Sequence, residues 1–92
     1  MDSAVWMMPL KNPPELVQAG QAVHGRETRR EEYQLPELWA LHLYSYDGAF
    51  ELDGKEFVIR PGFASVTPPN SRIVYRFRGE SRHLFAHFRL PS

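Results

Sequence analysis

Few side chains in this sequence could do covalent chemistry, and none stands in a setting that would activate it. Cysteine is absent, which removes a thiolate nucleophile, a disulfide staple and a thiolate metal site together. No glycine-rich phosphate loop occurs, and Ser45 and Ser65 are lone hydroxyls without the tight elbow that exposes a nucleophilic serine. An enzyme is therefore not the expectation. The chain does offer aromatic faces and polar tips on strand-like runs: Trp39 and Ser45 in Leu38–Tyr46, Tyr75 in Arg72–Phe77, and His83 and Phe85 in Arg82–Phe88. A mostly apolar pocket with a few convergent hydrogen-bonding groups suits a small polar organic ligand, whose flat face stacks on a ring while Tyr, Ser and His meet its polar atoms.

Those runs need a frame, and Leu52–Tyr75 supplies its punctuation. Asp53-Gly54 is the favoured two-residue hairpin loop, because Gly accepts positive φ and Asp tolerates it. It joins Ala49–Leu52 to Glu56–Ile59. Pro61-Gly62 then ends that strand and starts Phe63–Thr67, and Pro68-Pro69-Asn70 puts the next corner at a rim before Arg72–Phe77. Asp47-Gly48 predicts one more turn, into Ala49–Leu52. Short antiparallel strands with evenly spaced rim turns mark a jelly roll or small barrel.

Successive strand residues point to opposite faces, so each run can be sorted by parity. In Leu38–Tyr46 the more apolar set Trp39, Leu41, Leu43 and Ser45 is expected inward. The other set, Leu38, Ala40, His42, Tyr44 and Tyr46, is apolar for an outer face and predicts a covering sheet or partner chain. In Arg72–Phe77, Ile73, Tyr75 and Phe77 should face in. Arg72, Val74 and Arg76 should face out, the arginines extending with Arg78 and Arg82 into a basic strip that is either a solvated face or a docking surface. In Arg82–Phe88 parity separates His83, Phe85 and His87 from Arg82, Leu84, Ala86 and Phe88 without deciding which set faces in. A purely structural role competes at each site: burying Trp39 or Phe85 is worth about 1.5–3 kcal/mol to a thin core whatever else it does, and His83 can be a satisfied interior histidine.

The remainder of the chain is plainer. Residues 1–14 mix Val5, Trp6, Met7, Met8 and Leu10 with Pro9, Pro13 and Pro14, and read as an extended arm that either caps the barrel or closes on a ligand as a lid. Residues 15–92 are read as one domain, starting with a strand over Glu15–Val23 bent or bulged at Gly20. His24–Glu32 is charge-dense and predicts a solvated connection or strand edge. At 92 residues only about 60% of the unfolded surface can be buried. Eleven basic residues balance eleven acidic ones, so no field draws the chain to nucleic acid or to an anionic membrane. No apolar run approaches the ~20 residues of a membrane helix, and Met1-Asp2-Ser3 lacks the basic start of a secretory signal. A cytoplasmic protein is the expectation.

The order L-D-G at 52–54, R-P-G at 60–62 and T-P-P-N at 67–70, closed by RHLFAHFRL over Arg82–Leu90, resembles the cupin sensor domain of AraC-type transcriptional regulators across residues 38–90. The resemblance implies an all-β cupin jelly-roll barrel (a double-stranded β-helix) holding a small-molecule effector. It turns His83 and Phe85 toward the cavity, with His87 at or across the rim, and matches Tyr75, His83 and Phe85 to effector-pocket positions. Phe85 stands where the sugar-binding archetype has Trp, and Ser45 where it has Arg, so the effector is another sugar or something less polar. DNA would be reached only through a domain not present in this chain, and the sensor would pair as a homodimer. Cupin metal sites use three His and a Glu. Here His42 and Asp47 keep ligand spacing, but Ala40 and Ile73 occupy the other His positions, so no metal and no cofactor are expected. The rival readings are a metal-dependent cupin isomerase or dioxygenase, and a dimerisation module without a ligand.

Overall fold

The computed structural model describes residues 12–90, which form eight strands: β1 Glu15–His24, β2 Arg30–Gln34, β3 Trp39–Tyr44, β4 Gly48–Leu52, β5 Lys55–Ile59, β6 Ala64–Thr67, β7 Arg72–Phe77 and β8 Ser81–Arg89. They pair antiparallel into two four-stranded sheets, ordered β1-β8-β3-β6 and β2-β7-β4-β5, packed together as in a β-sandwich or jelly roll. The expected arm lies outside the described residues except for Asn12–Pro14, which lead into β1. No helix among the described residues is long and apolar enough to cross a membrane.

Turn chemistry explains how the chain alternates between the sheets. Asp53 and Gly54 both have positive φ, 48° and 89°, the pair that matches the twist of a two-residue hairpin. That hairpin joins β4 to β5 with Leu52 opposite Lys55. The Asp53 N–H donates to the Arg72 carbonyl at 2.9 Å, and its carboxylate accepts from the Arg72 N–H at 2.8 Å, which ties the hairpin to β7. Pro36-Glu37, Pro61-Gly62 and Pro69-Asn70 each place Pro before a positive-φ residue, the pattern of a type II turn. Asp47-Gly48 carries the chain from β3 in one sheet to β4 in the other, with Gly48 as the first residue of β4. A Cβ on Gly48 would lie 2.9 Å from the Arg76 carbonyl oxygen, so the close approach of β4 to β7 requires glycine there.

Two further details bear on the sequence reading, and the first corrects it. The irregularity in β1 falls between Leu16 and Gln18, while Gly20 keeps regular pairing opposite Phe85. The basic strip is met by neighbouring carboxylates: Arg72 by Glu32 at 2.5 Å, Arg76 by Glu51 at 3.4 Å and Arg82 by Glu80 at 3.9 Å. These pairs are exposed, and water screens most of their attraction.

The core consists of Tyr44, Tyr46, Phe50, Ile59, Ile73, Tyr75 and Phe77. Ile73, Tyr75 and Phe77 are buried as expected, but Val74, expected outward with the arginines, is buried as well at 2% exposure. In β3 and the residues after it, the expected parity is reversed. Ala40, His42, Tyr44 and Tyr46 are buried, whereas Trp39 is half-buried, Ser45 is exposed and Leu43 is 46% exposed. Register is the reason: β3 pairs with β8 so that His42 opposes Phe85 and Tyr44 opposes His83, and directly opposed residues share a face. The covered patch expected from Leu38, Ala40, Tyr44 and Tyr46 therefore does not lie on the outside.

Candidate functional site

All four histidines of the chain line one cavity of about 190 Å³ between the sheets. β1 contributes Ala22 and His24, β2 Tyr33, β3 His42, β7 Ile73 and Tyr75, and β8 His83, Phe85 and His87, with Leu35 completing the wall. Pairing builds the row: β8 runs between β1 and β3, so His83 lies opposite both Ala22 and Tyr44, and Phe85 lies opposite both Gly20 and His42. At Gly20 the Phe85 ring comes within 3.5 Å of where a Cβ would stand.

Each polar tip has a definite situation. The His24 Nδ1 lies 2.5 Å from Glu31 Oε2, and since a carboxylate only accepts, the ring proton belongs on Nδ1. The Tyr33 hydroxyl donates to the same oxygen at 2.8 Å, and the His24 ring stacks on Phe77 at 5.3 Å. His83 Nδ1 is hydrogen-bonded to the Tyr46 hydroxyl at 2.9 Å. The Tyr75 hydroxyl meets that of Tyr44 at 2.8 Å, and Tyr44 meets the Ser65 hydroxyl at 2.7 Å. His42 is the exception: it is 7% exposed, and its buried Nδ1 has no hydrogen-bond partner. Leaving a buried polar atom unpaired costs about 1–3 kcal/mol.

The electrostatics favour uncharged side chains. Burial, followed by the neighbouring His87 and His24, pushes the His42 pKa down to about 4. Burial, then His42 and His24, pushes His83 down to about 3, and burial also lowers His87. The phenols of Tyr44, Tyr46 and Tyr75 are raised by burial above all, so they stay protonated. Among the described residues no lysine or arginine lines the cavity, and no group of three His, Cys, Asp or Glu side chains could hold a metal ion. The site is thus a small apolar chamber walled by rings, with burial holding the imidazoles of His42, His83 and His87 toward their neutral form.

Of the residues singled out from sequence, Tyr75, His83 and Phe85 meet at this cavity. Trp39 and Ser45 do not, and their inward placement is corrected with the parity of β3: the Trp39 ring stacks against Phe88 at 6.4 Å, and the Ser45 hydroxyl donates to the Arg82 carbonyl at 2.8 Å. His24 and His42 are lining residues that the sequence reading left outside, the first inside a charged run and the second on the wrong face. The two-residue spacing of His42, Tyr44 and Tyr46 was the available signal, because all three carry an apolar ring with a polar atom that needs a partner when buried. His87, expected at or across the rim, is a lining residue. A wider depression of about 500 Å³, lined by Phe57, Phe63 and Val66 among others, has hydroxyls as its only side-chain polar groups.

No family model and no curated protein sequence matches this chain. Among solved structures, the plu4264 protein from Photorhabdus luminescens is similar to it, with a TM-score of 0.64 and 12% identity over 77% of this chain. The chain spans 60% of the length of that structure. At this identity the likeness establishes a shared fold.

Proposed function

We propose that this chain binds a small organic effector in the histidine-lined cavity and acts as the sensing cupin domain of an AraC-type transcriptional regulator. The observation that carries the binding part is the convergence of four histidines with Tyr75 and Phe85 on one apolar chamber where the buried Nδ1 of His42 has no partner. The regulatory part rests on the order of the L-D-G, R-P-G and T-P-P-N corners, with the two-sheet jelly-roll-like fold supporting it. In this reading the domain is not an enzyme and needs no metal. Ligand favours one packing of the barrel over another, and DNA is reached through a domain outside these 92 residues.

A melting-temperature screen against sugars, sugar acids and single-ring aromatics tests the binding step. A ligand at about a hundred times its Kd adds ~2.7 kcal/mol, which for a domain of this size is a rise on the order of 10 °C. Phe85→Ala should lower the melting point and remove that response. A panel that leaves the melting point of the unmodified chain unmoved counts against the reading.

A dimerisation role is favoured by a separate observation. On the outer face of the β1-β8-β3-β6 sheet, Leu43 lies directly opposite Leu84; they are 46% and 53% exposed, beside Val66 at 58%. An aliphatic patch of this kind on a sheet face suits a second copy of the chain.

A further inference from the structure

We infer that the ligand of the histidine cavity is an uncharged, planar, single-ring molecule carrying one or two hydrogen-bonding atoms, and neither a sugar nor an ion. This rests on the small-molecule reading above and narrows it.

Several polar atoms around the chamber are already taken. Tyr75 is bonded to Tyr44, His83 to Tyr46, and both His24 and Tyr33 to Glu31. A sugar presents hydroxyls around its whole rim, and most of them would lose water here without gaining a partner, a cost that apolar contact does not offset. An anion fares no better, since no lysine or arginine lines the chamber and burial disfavours a proton on His42, His83 and His87. A cation would meet no carboxylate in the wall, and the nearby Glu31 is already held by His24 and Tyr33. Among the fully buried side-chain polar atoms of the described residues, only the Nδ1 of His42 remains unmet, in a chamber whose walls include the rings of Tyr75 and Phe85. Its size agrees: a cavity of about 150 Å³ holds benzene, so about 190 Å³ takes a ring with a small substituent.

Heteronuclear NMR titration of the 92-residue chain at about pH 7.5 tests this with four probes: phenol, benzoate, benzylammonium and glucose. Phenol is expected to saturate and to move the side-chain signals of His42, Tyr75 and Phe85. Benzoate and benzylammonium should bind those signals at least about tenfold more weakly, a difference of ~1.4 kcal/mol, and glucose should leave them in place. Ala22→Leu, which fills the chamber, and His42→Phe, which removes the unmet nitrogen but keeps a ring, should each weaken phenol by about tenfold or more. If Ala22→Leu does not fold, His42→Phe decides: unchanged phenol affinity in the folded variant overturns the assignment. Tighter binding of benzoate, benzylammonium or glucose at the same signals overturns the ligand class while leaving a small-molecule site standing. If none of the four moves the cavity signals, the ligand class and the binding reading both fall.

Discussion

The two faces of the β3–β8 pair invert the usual division of labour. Inward stand His42 and Tyr44 opposite Phe85 and His83; outward stands Leu43 opposite Leu84. The aliphatic side chains are half exposed, and the rings with polar tips are nearly all buried. A polar atom costs little to bury once it is paired, and the inner face offers partners at hydrogen-bonding distance: Tyr44 finds Tyr75 and Ser65, and His83 finds Tyr46. Which face of this strand pair turns inward is therefore better read from the hydrogen-bond partners it meets than from hydropathy. Only His42 lacks such a partner at its buried nitrogen, and it borders the cavity.

Removing an inner ring should give the largest effect. Tyr44→Ala is expected to cost about 3–5 kcal/mol, the range for truncating a large buried ring, because it opens a void and takes a partner from the Tyr75 hydroxyl. That is a large share of the ~5–15 kcal/mol that holds a typical domain together. Urea unfolding measures it, and a loss below about 1 kcal/mol would show that the ring is not a core element.

Acid should act on the same face, with an effect of comparable size for each of two buried histidines. His42 and His83 have folded pKa values of about 4 and about 3, below the ordinary 6.5. The unfolded chain takes up protons as the pH falls through about 6.5, while the folded chain resists until the lower values are reached. Stability is therefore complete above about pH 6.5 and declines below it, by up to ~1.4 kcal/mol per pH unit for each histidine. His24 and His87, with Tyr44, Tyr46 and Tyr75, are the titratable groups that face these two rings. Because carboxylates also contribute to acid unfolding, the informative comparison is with His42→Phe, whose stability should fall less steeply between about pH 6.5 and pH 4. Equal slopes in the two proteins would mean that His42 titrates like a histidine in water.

The outer face should respond least. Leu43→Lys is expected to shift monomer stability by no more than about 0.5 kcal/mol, with the ammonium free to reach water. Sedimentation velocity sharpens the contrast: if the outer face joins two copies, Leu43→Lys and Leu84→Lys each convert a dimer to a monomer. A large loss of stability in a protein that is monomeric throughout would mean that this face is an interior one.

Much of the frame was legible before any coordinates. The Asp53-Gly54 hairpin, the Pro61-Gly62 corner and the Pro68-Pro69-Asn70 rim are local features, because the allowed φ of two or three residues decides them. The strand over Arg72–Phe77 was legible down to its inward side chains, since arginine on one parity leaves little choice for the other. The site was legible only in part. Tyr75, His83 and Phe85 were found, but Trp39 and Ser45 were assigned to the wrong side because both parities of Leu38–Tyr46 are rich in apolar groups. His24 was hidden in a run of charges, and its burial depends on Glu31 and Tyr33 in β2 and on Phe77 in β7.

Local backbone chemistry thus lets the sequence alone determine where the chain turns, that it forms strands, and that no thiol or phosphate loop is available for catalysis. The tertiary structure decides which side of β3 faces in and that four scattered histidines become neighbours. Both depend on register between strands far apart in the chain, and a shift of one residue would turn every side chain of a strand to the other face.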